Sequence, residues 1–277
     1  MRKDYIADPS AGMATEAELI ERQWTEQWRR RGVGGARPNL VPLRRECRIM
    51  APYLKRLPPG ARLLDGGCGL GEWTVYFTGA GYRVLGLDIS REIIAALRES
   101  HPDAEFRAGD IRATGLPMES FDAYFTWGTF EHFQEGLREC IVEALRILKP
   151  GGYLFATVPF DNLRLAWTPG ANHDPEPNAE AGATRFYQWR LTRAELHDEL
   201  TAGGFEVLDI RMIHKRQGIV RLLNQTLGLP WQSLVTRSLG IALAPFVPAK
   251  VFAHMLMGVA RKPVDHANRG GRRDNHA

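Results

Sequence analysis

Cysteine is scarce in this chain, with three residues in 277, at positions 47, 68 and 140. One lies in a glycine-rich turn and one inside a helical pattern, so the spacing offers neither a disulfide framework nor a paired metal-thiolate site. No apolar run follows the basic start Met1-Arg2-Lys3, so no secretory leader is expected and the cytoplasm is the expected location. Long hydrophobic runs are also missing. The most apolar stretch, 238–249, is shorter than the roughly 20 residues of a membrane span, and Pro245, Pro248, Lys250 and His254 break it, so no transmembrane segment is expected. That stretch reads as a buried or lid helix, with peripheral membrane contact or a greasy substrate wall as the alternative. The net charge of +4 sits largely at the two ends, in Arg29-Arg30-Arg31, Arg37, Arg44, Arg45 and Arg48, and in Arg269, Arg272 and Arg273. It is not interleaved with aromatics on one module, so it reads as solvated surface and no nucleic-acid partner is expected.

What the chain does have is Asp65-Gly66-Gly67-Cys68-Gly69-Leu70-Gly71, reached directly from Leu63-Leu64 and followed by Asp88 at the close of Val84-Leu85-Gly86-Leu87. Alternating glycines between a strand and a helix let the backbone approach a ligand, because no Cβ stands in between. An acid at the carboxyl end of the next strand can hold both hydroxyls of a ribose. The dinucleotide fingerprint G-x-G-x-x-G requires a third glycine where this chain has Glu72, which argues against a nicotinamide-dependent oxidoreductase.

Strand and helix patterns alternate regularly between 61 and 158, as in a parallel sheet with crossover helices. Strands are expected at 62–66, 83–87, 104–107, 121–125 and 153–158, then at 205–213 and 255–260. The clearest helical pattern carries Leu137, Cys140, Ile141, Ala144, Leu145 and Leu148 on one face and stops at Lys149-Pro150-Gly151-Gly152. Thr15 with Glu18 and Thr192 with Glu195 are capping boxes opening two further helices. The first carries Trp24 and Trp28, which either cover a ligand or dock the helix. Three parts are expected: an N-terminal helical extension over 1–58, one α/β domain over 59–262 with insertions at 161–185 and 214–250, and a disordered basic tail over 263–277.

The G-x-G-x-G turn with an acid two residues before its first glycine, Asp88, and the Leu148-Lys149-Pro150-Gly151-Gly152 ending together resemble the class I S-adenosylmethionine-dependent methyltransferases, small-molecule type. The resemblance covers roughly 61–262 outside the two insertions. It implies a Rossmann-like seven-stranded sheet ordered 3-2-1-4-5-7-6 with the last strand antiparallel, S-adenosylmethionine as cofactor, and methyl transfer to an oxygen, nitrogen or carbon of a small-molecule acceptor. The alternatives are a non-catalytic S-adenosylmethionine-binding protein and a methyltransferase for a lipid-linked or membrane-associated acceptor.

By the same resemblance, Asp65 and the backbone of Gly67, Gly69 and Gly71 form the cofactor cradle, Asp88 takes the ribose, and Ile89 lies on one face of adenine. Asp110 accepts from the adenine amino group beside Ile111, or else turns the chain, as loop aspartates do. Trp127 lies near the methionine portion or packs in the core. Glu131-His132 resembles a pair that some relatives complete with upstream acids to hold a cation. Thr126 and Gly128 stand in those places, so no metal is expected. His132 is the candidate general base, or else a packed histidine. The N-P-P-Y signature of base methylation is missing, and Thr126-Trp127-Gly128-Thr129 stands there instead. The 161–190 stretch is read as a substrate loop holding His173 and Asp174, with Phe186-Tyr187-Gln188-Trp189-Arg190 opening the next helix. Tyr187 and Trp189 are read as walls of a pocket for an acceptor with an apolar body.

Overall fold

The computed structural model describes residues 1–8, 14–167 and 184–264. Its strands are β1 (Arg2–Ala7), β2 (Arg62–Gly66), β3 (Arg83–Asp88), β4 (Glu105–Ala108), β5 (Phe121–Trp127), β6 (Leu148–Pro159), β7 (Thr184–Arg190), β8 (Glu206–Ile213) and β9 (Met255–Arg261). The helices are α1 (Glu16–Arg31), α2 (Arg45–Leu54), α3 (Glu72–Gly79), α4 (Arg91–Ser100), α5 (Arg138–Ile147), α6 (Leu163–Trp167), α7 (Arg193–Ala202), α8 (Lys215–Leu227), α9 (Leu234–Leu243) and α10 (Ala249–Phe252).

Seven strands form one sheet in the order β4-β3-β2-β5-β6-β9-β8, with β9 antiparallel to both neighbours. Counted among themselves they run 3-2-1-4-5-7-6, the order expected from the sequence. The central strands are almost wholly buried because helices cover both faces, so their apolar residues run continuously instead of alternating with polar ones. Successive residues still serve opposite faces: Leu64, Leu85 and Leu154 pack in one layer, and Leu63, Val84 and Phe155 in the other. Crossover helix α4 starts at Ser90, whose hydroxyl accepts from the Ile93 amide, and it buries Ile93, Ile94 and Leu97. In α5 the buried stripe is Cys140, Ile141, Ala144 and Ile147. Both capping boxes form, at Thr15 for α1 and Thr192 for α7.

Four expectations need correction. The 1–58 extension is not all helical, because β1 pairs antiparallel with β7 in a second, two-stranded sheet, Arg2 opposite Arg190. By the same pairing, the aromatic segment 186–190 is a strand and not the opening of a helix. Lys149-Pro150-Gly151-Gly152 stops α5 but already belongs to β6, as an irregularity between the Phe121–Leu148 and Ala123–Tyr153 pairs. Of the two readings of 238–249, a buried or a lid helix, the buried one fails: Leu239, Ile241 and Leu243 are exposed, and Phe246 is 85% exposed. Apolar composition draws a helix towards some apolar surface, and here α8 takes only the side that carries Thr236 and Gly240. The expected tail from 265 onwards, and His173 and Asp174 of the first insertion, lie outside the described residues.

Candidate active site

The carboxyl ends of β2, β3 and β5 open into a cavity of about 340 Å³. Gly67, Gly69, Asp88, Ile89, Asp110, Ile111, Trp127 and His132 line it, so most of the residues expected at a cofactor gather in one place.

The glycine turn contributes clearance, not free amides. The Gly67 and Cys68 amides donate to the Leu87 carbonyl at 2.7 and 3.0 Å, and the Gly69 amide donates to Asp88 Oδ2 at 2.8 Å. No amide of these three is left for a phosphate, unlike the loop of a nucleotide-phosphate site. Gly69 has φ +52°, and a Cβ there would meet the Trp28 ring at 2.8 Å; at Gly67, a Cβ would meet Thr129 Oγ1 at 2.4 Å. Gly71 and Asp65 do not line the cavity. Gly71 has its glycine for packing, since a Cβ there would lie 2.8 Å from the Phe106 ring. Asp65 is buried behind the turn, where Oδ2 accepts from the Thr74 amide (3.1 Å) and hydroxyl (2.8 Å) and holds the start of α3. Burial pushes its carboxyl up to about 7, against the two Thr74 bonds.

Asp88 faces the cavity with a hydrogen bond on each oxygen, from the Gly69 amide and from the Ser90 amide at 3.0 Å. A carboxylate has about four acceptor sites, so each oxygen keeps one for a diol. Burial raises its pKa, and the backbone donors oppose the rise. Asp110 is already held: Oδ1 accepts from the Arg112 amide (2.8 Å), and the Arg112 guanidinium binds it in a fork, with a second arm to Glu16 at 2.7 Å. Its turn-forming role is therefore present, and the residue also lines the cavity.

Helix α1 closes the cavity from above. Trp24 and Trp28 stack at 5.5 Å between ring centres, and both line the cavity, as do Arg44 and Glu72, which form an ion pair. The indole N–H groups of Trp28 and Trp127 are buried with no partner among the described residues. Two orphaned donors and the spare acceptors of Asp88, beside a turn with no amide to spare for a phosphate, match an adenosyl group with an amino-acid tail.

A second cavity of about 330 Å³ shares Trp24, Gly128 and His132 with the first. Tyr187, on β7, lines this second cavity only. Trp189 instead donates its indole N–H to the Phe133 carbonyl at 3.0 Å and lines neither. The Tyr187 carbonyl lies 2.7 Å from His132 Nδ1. A carbonyl only accepts, so Nδ1 carries the proton and Nε2 keeps its lone pair, 4.0 Å from Glu131 Oε1. Burial lowers the His132 pKa to about 4, so the ring is neutral near pH 7. Burial raises Glu131 to about 8, and its Oε2 has no partner. Among the described residues no three His, Cys, Asp or Glu gather as a metal site.

Sequence reasoning missed Arg44 and Glu72 in the first cavity and Asp4, Arg190, Arg221 and His254 in the second. The tryptophans at i and i+4 on α1 were the one available signal for its covering role. Nothing local marked Asp4 or Arg221.

Residues 64–156 match the family described as "Methyltransferase domain". The chain is 28% identical over 163 residues to a protein of Mycolicibacterium smegmatis described as a probable S-adenosylmethionine-dependent methyltransferase, covering 59% of each. It is 31% identical over 175 residues to malonyl-[acyl-carrier protein] O-methyltransferase of Methylococcus capsulatus, covering 60% of this chain and 59% of that one. It therefore spans about three-fifths of the length of both curated relatives. In fold it is similar to 1,6-didemethyltoxoflavin-N1-methyltransferase of Burkholderia thailandensis, with TM-score 0.57, 19% identity, and coverage of 93% and 92% of the two chains.

Proposed function

We propose that this chain is a class I S-adenosylmethionine-dependent methyltransferase, a reading supported by its sheet order and its 64–156 segment, and that it transfers a methyl group to a small-molecule acceptor held in the second cavity. The observation that carries this reading is the shared wall: Trp24, Gly128 and His132 face both cavities, so two ligands would meet there. Bound S-adenosylmethionine would supply a methyl on a cationic sulfur, ready for in-line displacement. Asp88 would hold its ribose, Asp110 its adenine amino group, and Ile89 and Ile111 the faces of the base. Trp24 and Trp28 would shield the bound cofactor from water, and alignment across the shared wall is the larger part of the catalysis such a displacement requires.

We read His132 as the general base for an acceptor that loses a proton. Its Nε2 is unprotonated at neutral pH, and the Tyr187 carbonyl fixes the tautomer. Tyr187 is the acceptor's wall. One relative is named for an O-methyl transfer and one fold neighbour for an N-methyl transfer, and the lining of this cavity does not select between the two atoms. A cytoplasmic location and an acceptor with an apolar body belong to the same reading. Tyr5, Ile6, Trp24 and Met255 offer that body its surface.

The test is calorimetry followed by labelling. S-adenosylhomocysteine should bind and NAD should not, and methyl-labelled S-adenosylmethionine incubated with a metabolite extract should leave the label on a small molecule in the presence of EDTA. Binding of NAD with no response to S-adenosylhomocysteine would sink the assignment. Labelling that stops on chelation and returns with magnesium would sink metal independence alone.

A further inference from the structure

We infer that the acceptor carries an oxyanion, a carboxylate or a phosphate, bound by Arg221 in the second cavity. The inference rests on the proposed function for the site's purpose, and on the structure for the site itself. Two guanidinium groups line this cavity, Arg190 from β7 and Arg221 from α8. Arg190 is spoken for. Its Nε is 2.8 Å from Asp4 Oδ2, which also accepts from Gln188 Nε2 at 2.6 Å, and both side chains of the ion pair are buried. Arg221 forms no ion pair with any described residue, and its Nε is buried without a partner. Its guanidinium lies over the Trp231 ring, 5.4 Å from the centre. A cation–π contact of that kind steadies the guanidinium without using its N–H donors, which can make a forked bond to an oxyanion.

The other ionisable groups of the cavity do not cancel this charge. Glu131 is held towards its neutral form and His254 towards its neutral form, the latter by burial and by Arg221 and Arg190. His132 is neutral as well. Asp4 balances Arg190, so among the described residues that line the cavity one positive charge remains, on Arg221. A half-buried guanidinium whose Nε has no partner among the described residues is costly, and an incoming anion would relieve that cost. An anionic group on the acceptor would also fix which of its atoms faces the wall at His132, a positioning effect that a purely apolar cavity cannot give.

The probes are 3-phenylpropionate, phenyl phosphate and the neutral 3-phenylpropionamide, titrated calorimetrically into the full chain with and without saturating S-adenosylhomocysteine. At least one of the two anions should bind ten times or more tighter than the amide. Arg221→Gln, which keeps most of the stem, should abolish that preference, and Arg221→Lys should retain part of it. S-adenosylhomocysteine affinity should stay within about twofold in both variants, since Arg221 does not line the first cavity. A tenfold preference for one anion over the other names the acceptor's group. Equal binding of anion and amide, no binding of any probe, or an anion preference that survives in a folded Arg221→Gln overturns the inference. Failure of S-adenosylhomocysteine to bind sinks the cofactor reading instead, and the titrations without it still decide the role of Arg221.

Discussion

Asp65 and Asp88 end neighbouring strands and are both buried, yet they face different partners. Asp88 opens onto the cofactor cavity, while Asp65 is spent on Thr74. Asp88→Ala should weaken S-adenosylhomocysteine binding by about 1.5–3 kcal/mol, the range for hydrogen bonds to a charged group, and Asp65→Asn should leave it within about threefold. For Asp65 the informative measurement is stability against pH. Its folded pKa, about 7, lies above the ordinary 3.8. The folded state therefore binds the extra proton, and the contribution is complete below the ordinary value and lost as pH rises through about 7. Asn keeps an acceptor for Thr74 without the buried charge. The melting temperature gained by Asp65→Asn should thus be larger at pH 8 than at pH 4, and a gain independent of pH would show that the carboxyl is ionised throughout. His132 runs the other way. Its folded pKa of about 4 lies below 6.5, so its contribution is present above 6.5 and lost as pH falls through about 4. His132→Gln should flatten the loss of stability over that window. If His132 is the base, the same change should lower turnover by about a hundredfold, with S-adenosylhomocysteine affinity little altered.

At the scale of elements, α1 joins local capping to function. Its capping box at Thr15 holds the first turn, and its stacked tryptophans cover the glycine turn, with Trp28 over Gly69. Trp28→Ala should weaken S-adenosylhomocysteine binding about tenfold by opening this cover, as read by calorimetry. Thr15→Ala should cost about 1 kcal/mol of stability. The sequence made legible whatever a short window encodes: both capping boxes, the buried strands and, through the glycine turn and Asp88, the sheet order of a known family. It did not make β1 legible. Arg2-Lys3-Asp4-Tyr5-Ile6 is short and half charged, and its partner Thr184–Arg190 lies far along the chain, with Arg2 opposite Arg190, so no local period announces the pairing. The second cavity was hidden for the same reason, since its walls come from β1, β7 and α8 together. Asp65 was misplaced because a motif gives the spacing of an acid but not which side of the turn its carboxyl faces.

At the scale of the whole molecule, the face around α9 stands out among the described residues. No helix among the described residues is long and apolar enough to cross a membrane, but Leu234, Val235, Ile241 and Phe246 are exposed on and just beyond α9. Between 210 and 264 the chain has no Asp or Glu, while Arg237 and Lys250 stand exposed beside the apolar residues. Apolar side chains rimmed by basic ones, with no acid to repel lipid phosphates, suit the surface of an anionic bilayer. The protein should therefore sediment with vesicles containing phosphatidylglycerol and much less with pure phosphatidylcholine, and high salt should release it. Each of these side chains is worth roughly 1.5–3 kcal/mol when buried, so Leu234→Glu with Phe246→Glu should reduce the bound fraction at least tenfold. That variant should keep its affinity for S-adenosylhomocysteine, since neither residue lines the first cavity. If instead the wild type ignores both kinds of vesicle, and ultracentrifugation shows a dimer that the same two substitutions dissociate, the face joins two copies of the chain and the membrane reading is wrong.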